Sequence, residues 1–323
     1  MAACRAAGFV CTLCGLTITG AFAQAFPVRP VRLVVTYTAG GPADIAARAL
    51  AQKLAGMWGQ QVVVDNRAGA GGIIGTELVA KSPADGYTLL HGTAAGLIIN
   101  PLLVKKLPYD TFRDFTPVSM VVIVPQLLVT NPAVPAATLK ELISLAKSRP
   151  GALNYASVGV GSPNHLGMEL LKSMAGIDMV HVPYKGATPA MADLMAGQVQ
   201  LAFNGMASVL PQIATGKLRA IAVGSARRSP AAPEVPTVAE AGVPGFEYVA
   251  WNGNFTPAGT PAALVEKISI DIRKALAAPE VIQRLTSLGS EPAGSTPAEF
   301  ASYLKQDHVR WSRVVTAVGL KPE

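Results

Sequence analysis

The sequence predicts an α/β protein of two domains, and three observations carry that expectation. Strand-like and helix-like stretches alternate along most of the chain, the pattern of largely parallel sheets covered by helices. The chain is long enough to build two cores. A strand, glycine loop and helix follow one another twice, once in each half.

The N-terminal residues stand outside that fold. Arg5 supplies a short positive region, Ala6 to Ala23 is apolar or small, and Ala21-Phe22-Ala23 gives a small-x-small pattern. This reads as a secretory signal peptide over 1–23, cut after Ala23. A transmembrane anchor fits less well, because the segment is short, broken by glycine and lacks a basic flank. Cys4, Cys11 and Cys14 all lie inside it and follow no lipobox. The mature chain then has no disulfide, thiol chemistry or Cys metal site, and the expected location is the periplasm.

Removing 23 residues from 323 leaves 300, and removing Arg5 from 27 Lys+Arg leaves +6 against 20 Asp+Glu. The excess is scattered, with no basic run interleaved with aromatics, so nucleic acid is not an expected partner. A mild positive field suits an anionic solute and equally serves solubility.

In chain order, Val31 to Tyr37 reads as a buried strand, Ala39-Gly40-Gly41 as a tight turn, and Pro42 as a first helical residue. Gln61 to Asp65 is a second strand. It runs into the glycine-rich Asn66 to Gly72 and a helix from Ile73 to Lys81. Tyr87 to His91 is a third strand and Leu97 to Leu103 a short helix. Thr116 to Thr130 is long, apolar and β-branched with Pro125 at its middle. Proline cannot sit in a strand paired on both sides, so two strand segments are expected, crossing between domains with Pro125 near the joint. Helices follow at 138–148, 165–175 and 187–196, and strands at 154–157, 179–182, 199–203 and 218–223. Tyr248 to Thr256 is the second crossing strand. Helical periodicity fills 262–277, 280–288 and 297–318, the last entered through Ser295-Thr296-Pro297.

The site candidates lie at strand ends. The first loop offers backbone N–H groups of Ala39, Gly40 and Gly41 at the positive end of a helix dipole, a setting for a carboxylate. Asp44, in the helix's first turn, is expected to bond back to the loop, and Arg48 stands at i+4 from it. Tyr155 to Leu166 repeats the arrangement with Ser157, Gly159, Gly161, Ser162, Asn164 and His165. Ser162 or Asn164 can cap the helix, and His165 can donate to a ligand or only to the loop. Tyr37 can wall a site or belong to the core. Thr93, Tyr184 and Asn204 end strands and are further polar candidates. Ligands of open α/β sheets bind beyond the carboxyl ends of the strands. The four His show no metal spacing, no serine lies in a GxSxG elbow, and no nucleophile–base pair or carboxylate pair is evident. No metal, cofactor or catalytic residue is expected.

YTAGGPADIAAR (37–48), VDNRAGAGGIIG (64–75), ADGYTLL (84–90), YASVGVGSPNHL (155–166), VPYKGATPAMADLMAGQVQ (182–200), GKLRAIAV (216–223), VPTVAEAGVPGFEYVAWNG (235–253) and STPAEF (295–300) together resemble the periplasmic receptors of tripartite tricarboxylate transporters, the Bug proteins. The likeness spans the mature chain in the family's order. It implies a type II periplasmic binding protein, two α/β domains in a Venus-flytrap arrangement with a central mixed sheet in each. The expected boundaries are 24–123 plus 251–323 for one domain and 124–250 for the other, hinged near 118–130 and 247–257. It also implies a carboxylate solute held between the two loops, and large and small membrane permease subunits as partners. The protein is expected to be a monomer. Handing the bound form to a sensor kinase is compatible with that role. This chain has Ala39 where the family often has Pro. An ABC-type binding protein of the same fold, and a periplasmic enzyme acting on an anion, are the rival readings.

Overall fold

In the computed structural model, which describes residues 26–322, the chain opens on β1 (Val31–Val35), the innermost strand of a parallel trio. The signal-peptide reading of residues 1–23, with its cysteines, lies outside the described residues. α1 (Pro42–Trp58) follows, then β2 (Val62–Asn66), a 3-10 turn at Ala70–Gly72, α2 (Ile73–Ala80) and β3 (Thr88–Thr93). A π-helical turn at Ala95–Ile99 leads through α3 (Asn100–Leu103) and α4 (Thr111–Asp114) into β4 (Phe115–Thr130). Next come α5 (Leu139–Ser148), β5 (Asn154–Ser157), α6 (Pro163–Ala175), β6 (Val180–Pro183), α7 (Ala187–Ala196), β7 (Leu201–Gly205), α8 (Met206–Ala214) and β8 (Arg219–Val223). β9 (Val249–Pro257), α9 (Ala262–Leu276), α10 (Pro279–Thr286), β10 (Glu291–Pro292) and α11 (Pro297–Ala317) complete the order.

The strands run in the order β2-β1-β3-β9-β4-β7-β5-β6, with β10 and β8 also pairing β4. β1 is parallel to β2 and β3, and β5 is parallel to β6 and β7. The crossing strands run against them: β9 is antiparallel to β3 and β4, and β4 is antiparallel to β7 and β8. Each half is therefore a mixed sheet rather than a largely parallel one.

β4 is one continuous strand where two segments are expected. Residues 115–125 pair with β9, ending at Pro125↔Val249, and residues 126–130 pair with β7, beginning at Gln126↔Gly205. Pro125 sits where one partner ends and the other has not begun, so its missing N–H breaks no ladder and the strand continues. Three short pieces, α4, α8 and β10, had no sequence expectation; α8 carries Pro211 inside it.

One core packs β1, α1, α9 and α10 through Leu33, Leu50, Leu54, Ile268 and Leu285. A second lies in the other half, under Leu127, Val129, Leu194 and Val209. The largest runs through the joint itself, joining Leu90, Phe255 and Phe300 to Trp251, Tyr248 and Phe203. α5 and α11 begin with reciprocal capping boxes, Thr138 with Glu141 and Thr296 with Glu299.

Candidate functional site

The turn between β1 and α1 is held from within. Gly40 has φ +84°, a conformation that costs a side chain about 1 kcal/mol or more. Its N–H donates to Asp44 Oδ2 at 2.8 Å. Arg48 Nε reaches the same oxygen at 2.9 Å, and Asn66 Nδ2 reaches Asp44 Oδ1 at 2.9 Å. Asn66 also donates to the carbonyl of Tyr37 and accepts from Arg48 Nη2. Burial pushes the Asp44 carboxyl up, and the bonds from Arg48, Gly40 and Asn66 outweigh it and hold it below the usual carboxylate value. Asp44 thus braces the loop, and the Gly40 N–H is spent on it. Gly41 is the N-cap and has no side chain to cap with. The N–H groups of Ala43 and Asp44 have no protein partner among the described residues. They stand at the positive end of a 17-residue helix.

The start of that helix, through Gly41, Pro42 and Ala43, lines a cleft of about 440 Å³, a size suited to small ligands. One wall is Tyr37, Thr38 and Gly41 to Ala43. Thr93 to Ala95 and Ile99 form its side. The rest of the lining is Val124, Tyr248 to Asn252, Pro163 and Trp311. The cleft therefore takes residues from the first loop, from the start of α6 and from the crossing strands. A larger groove of about 740 Å³ lies on the outer face between α1 and α10; no residue of the second loop reaches it, so it is not the meeting place of the two loops.

The second loop is committed internally. Ser157 Oγ donates to the Gly159 carbonyl at 2.9 Å and accepts from the Gly159 N–H. Ser162 Oγ donates to the same carbonyl at 2.6 Å and caps α6 by accepting from His165 N. The Gly161 N–H donates to His165 Nδ1 at 3.1 Å, so His165 serves the loop as an acceptor. Asn164 Nδ2 donates to the Phe203 carbonyl. His165 stacks on His181 with ring centroids 4.0 Å apart, and His181 stacks on Tyr155. Burial lowers both histidines, His181 to about 4, with the neighbouring His165 adding to that shift.

Of the residues expected at the site, Tyr37, Gly41 and Thr93 line the cleft. Ala39, Gly40 and Asp44 shape its first wall from behind. Gly161 lies against the first half: a Cβ there would meet Leu103 Cδ1 at 2.8 Å. Tyr184 points away, its hydroxyl donating to Asp193 Oδ2 at 2.8 Å, and Asn204 does not line the cleft. Sequence reasoning missed Ile99, Val124, Tyr248, Val249, Trp251 and Trp311. Val124, Tyr248, Val249 and Trp251 lay on the expected crossing strands beside the joint, whereas Ile99 and Trp311 carried no such signal. It also missed that Ser157 Oγ lies 2.6 Å from His181 Nε2. Ser157 is buried and bonded to Gly159 on both its donor and acceptor sides, so this pair braces the loop.

No cluster of three or more His, Cys, Asp or Glu is placed to hold a metal ion among the described residues. No helix among them is long and apolar enough to cross a membrane.

Paired α/β lobes sharing two long antiparallel strands, with a helix N-terminus opening on the gap, define the periplasmic binding protein class. The family model of the tripartite tricarboxylate transporter family receptor matches residues 46–320. Protein BugT of Bordetella pertussis is 40% identical over 300 residues, covering 93% of this chain and 92% of that protein. Rpa4515 of R. palustris, solved with adipate, superposes with TM-score 0.76 at 38% identity, covering 92% of this chain and 100% of its own. MatC (Rpa3494) of Rhodopseudomonas palustris, solved with bound malate, gives TM-score 0.71 at 35% identity over 90% of this chain and 100% of its own. The chain belongs to the tripartite tricarboxylate transporter receptor family, whose members are periplasmic solute-binding receptors.

Proposed function

We propose that this chain captures a carboxylate-bearing solute in the cleft beside α1 and presents it to the large and small membrane subunits of a tripartite transporter. The observation that carries the reading is the uncapped N-terminus of α1 opening on a cleft that residues of both halves wall. The carboxylate docks on the N–H groups of Ala43 and Asp44, with the hydroxyls of Thr38 and Thr93 within the same wall. Charge-assisted bonds of this kind are roughly twice as strong as neutral ones. The relatives holding adipate and malate support a carboxylate as the ligand.

On this reading 24–123 plus 251–323 form one lobe and 124–250 the other, hinging where β4 and β9 cross. A ligand touching both walls prefers the closed form and shifts the population toward it. The role is binding without chemistry, in the periplasm, after removal of residues 1–23. The test is a thermal-shift screen of the mature chain against mono-, di- and tricarboxylates. At least one acid raises the Tm in a concentration-dependent way; a flat response to every carboxylate overturns the reading.

A further inference from the structure

We propose that the Tyr248 hydroxyl is a specificity-determining donor, bonding a second oxygen acceptor, a carbonyl or a carboxylate, on the solute whose first carboxylate docks at α1. The proposal rests on the receptor reading above and names the group that reads the rest of the solute.

Tyr248 lines the cleft and is only 2% exposed. Its hydroxyl has no hydrogen-bond partner among the described residues, and burial pushes the phenol well above its ordinary value, so it stays protonated and able to donate. Tyr303 is the contrast: its hydroxyl is unpartnered too, but sealed off. The Tyr248 hydroxyl is not among the sealed groups, and the cleft is the space its residue lines. A hydroxyl taken out of bulk water without a protein acceptor is costly, so one left facing a ligand cleft points to an acceptor brought by the ligand.

The ring is held so that this donor cannot swing away. A Cβ on Gly167 of α6 would meet Tyr248 Cε1 at 2.4 Å and Cδ1 at 2.5 Å, so the ring lies directly against the helix. Phe203 and Trp311 stand edge-on to it, at centroid distances of 5.1 and 5.8 Å. The backbone is fixed as well: Tyr248 N donates to the Gly224 carbonyl at 2.7 Å, and Gly224 N donates to that of Gln126 on β4 at 2.7 Å. A donor immobilised before binding loses little freedom when the ligand arrives. No Lys, Arg or His lines the cleft among the described residues, so no cation there competes for the second acceptor. Asn252, the register partner of Thr93, stands four residues along the chain from Tyr248, up to about 13 Å when extended. The test therefore uses two skeleton lengths.

Titration calorimetry of the mature chain compares hexanoate, 5-oxohexanoate and adipate, and then octanoate, 7-oxooctanoate and suberate. In at least one series an acid with a second acceptor is expected to bind about tenfold tighter than its plain monoacid. Whether the oxo acid or the diacid gains shows which acceptor is read. In Tyr248→Phe, which removes only the oxygen, that ratio is expected to fall at least about threefold. Taking the ratio on one preparation cancels any general loss of affinity. A parent that does not discriminate in either series, or a Tyr248→Phe variant that keeps the parental ratio, overturns the proposal and leaves the carboxylate reading standing. Binding of none of these acids overturns it too, and the wider thermal-shift screen then decides whether the carboxylate reading falls with it.

Discussion

Asp44→Asn keeps the shape of the side chain and removes its charge, so it isolates the brace under the first loop. Three donors meet the carboxylate: Gly40 N at 2.8 Å, Arg48 Nε at 2.9 Å and Asn66 Nδ2 at 2.9 Å. An amide offers one acceptor oxygen, so whichever way it turns, one N–H faces another. If its nitrogen takes the Oδ1 place it meets Asn66 Nδ2. Asn66 cannot turn to answer, because its nitrogen also serves the Tyr37 carbonyl and its oxygen accepts from Arg48. A hydrogen bond to a charged group contributes about 1.5–3 kcal/mol. Losing one and weakening the others costs about 3 kcal/mol at pH 7. For a chain of this size, that is a fall in Tm of about 6 °C. The Gly40 turn then loses the bond that fixes it, and carboxylate affinity is expected to fall about tenfold, or about 1.4 kcal/mol. Differential scanning fluorimetry and titration calorimetry on the same preparation read both quantities. A variant that melts within a degree of the parent refutes the brace. A variant that melts early yet binds as tightly refutes the link between brace and site.

Three further outcomes are expected. His91 is fully buried with Nδ1 2.7 Å from Asn254 Oδ1, and burial lowers it from 6.5 to about 4. The unfolded chain takes up that proton first, so stability is fully present above pH 6.5 and is lost as pH falls toward 4, by about 3 kcal/mol from this group. His181, lowered in the same direction, adds to the slope; a Tm that is flat from pH 7 to pH 4 counts against both. Gly161→Ala places a methyl 2.8 Å from Leu103 Cδ1 at φ +73°, which is expected to cost about 1–2 kcal/mol in chemical denaturation. Adding Leu103→Ala relieves the collision and leaves the backbone cost; full recovery in the double variant contradicts the strain. Trp251→Phe keeps the cleft wall but strips Asp307 of a donor. Urea melts are expected to show a loss of about 1–3 kcal/mol, and parental stability would mean that the Asp307 bond contributes nothing.

Much of the fold was legible because local chemistry was unambiguous. Pro42 at the first helical position and Thr296 before Pro297 each mark a helix start, and each helix begins there. β5 and α7 were found to the residue. Proline misled at Pro125, because the rule against it assumes partners on both sides and the strand changes partners at that residue. α8 was invisible because Pro211 argues against a helix. The site was half legible. Gly40 and Gly41 announce a turn, and Asp44 was expected to bond back to it. The second loop has the same signature, yet its Gly159, Gly161 and His165 N–H groups are taken by Ser157, His165 and Ser162. Which N–H groups stay open depends on side chains folding back on them, and spacing alone does not record that. Trp251 was expected only on a crossing strand and Trp311 only within a helix, and both are almost fully buried.

The unbroken run of β4 has a mechanical consequence. A single 16-residue ribbon carries backbone pairing for both sheets, and the main apolar cluster passes through the same junction. Neither half can melt without stripping the other of a shared neighbour. Calorimetry should therefore record one endotherm rather than a pair. Flexing between the halves then comes from twist distributed along the ribbon, an elastic spine in place of a floppy tether.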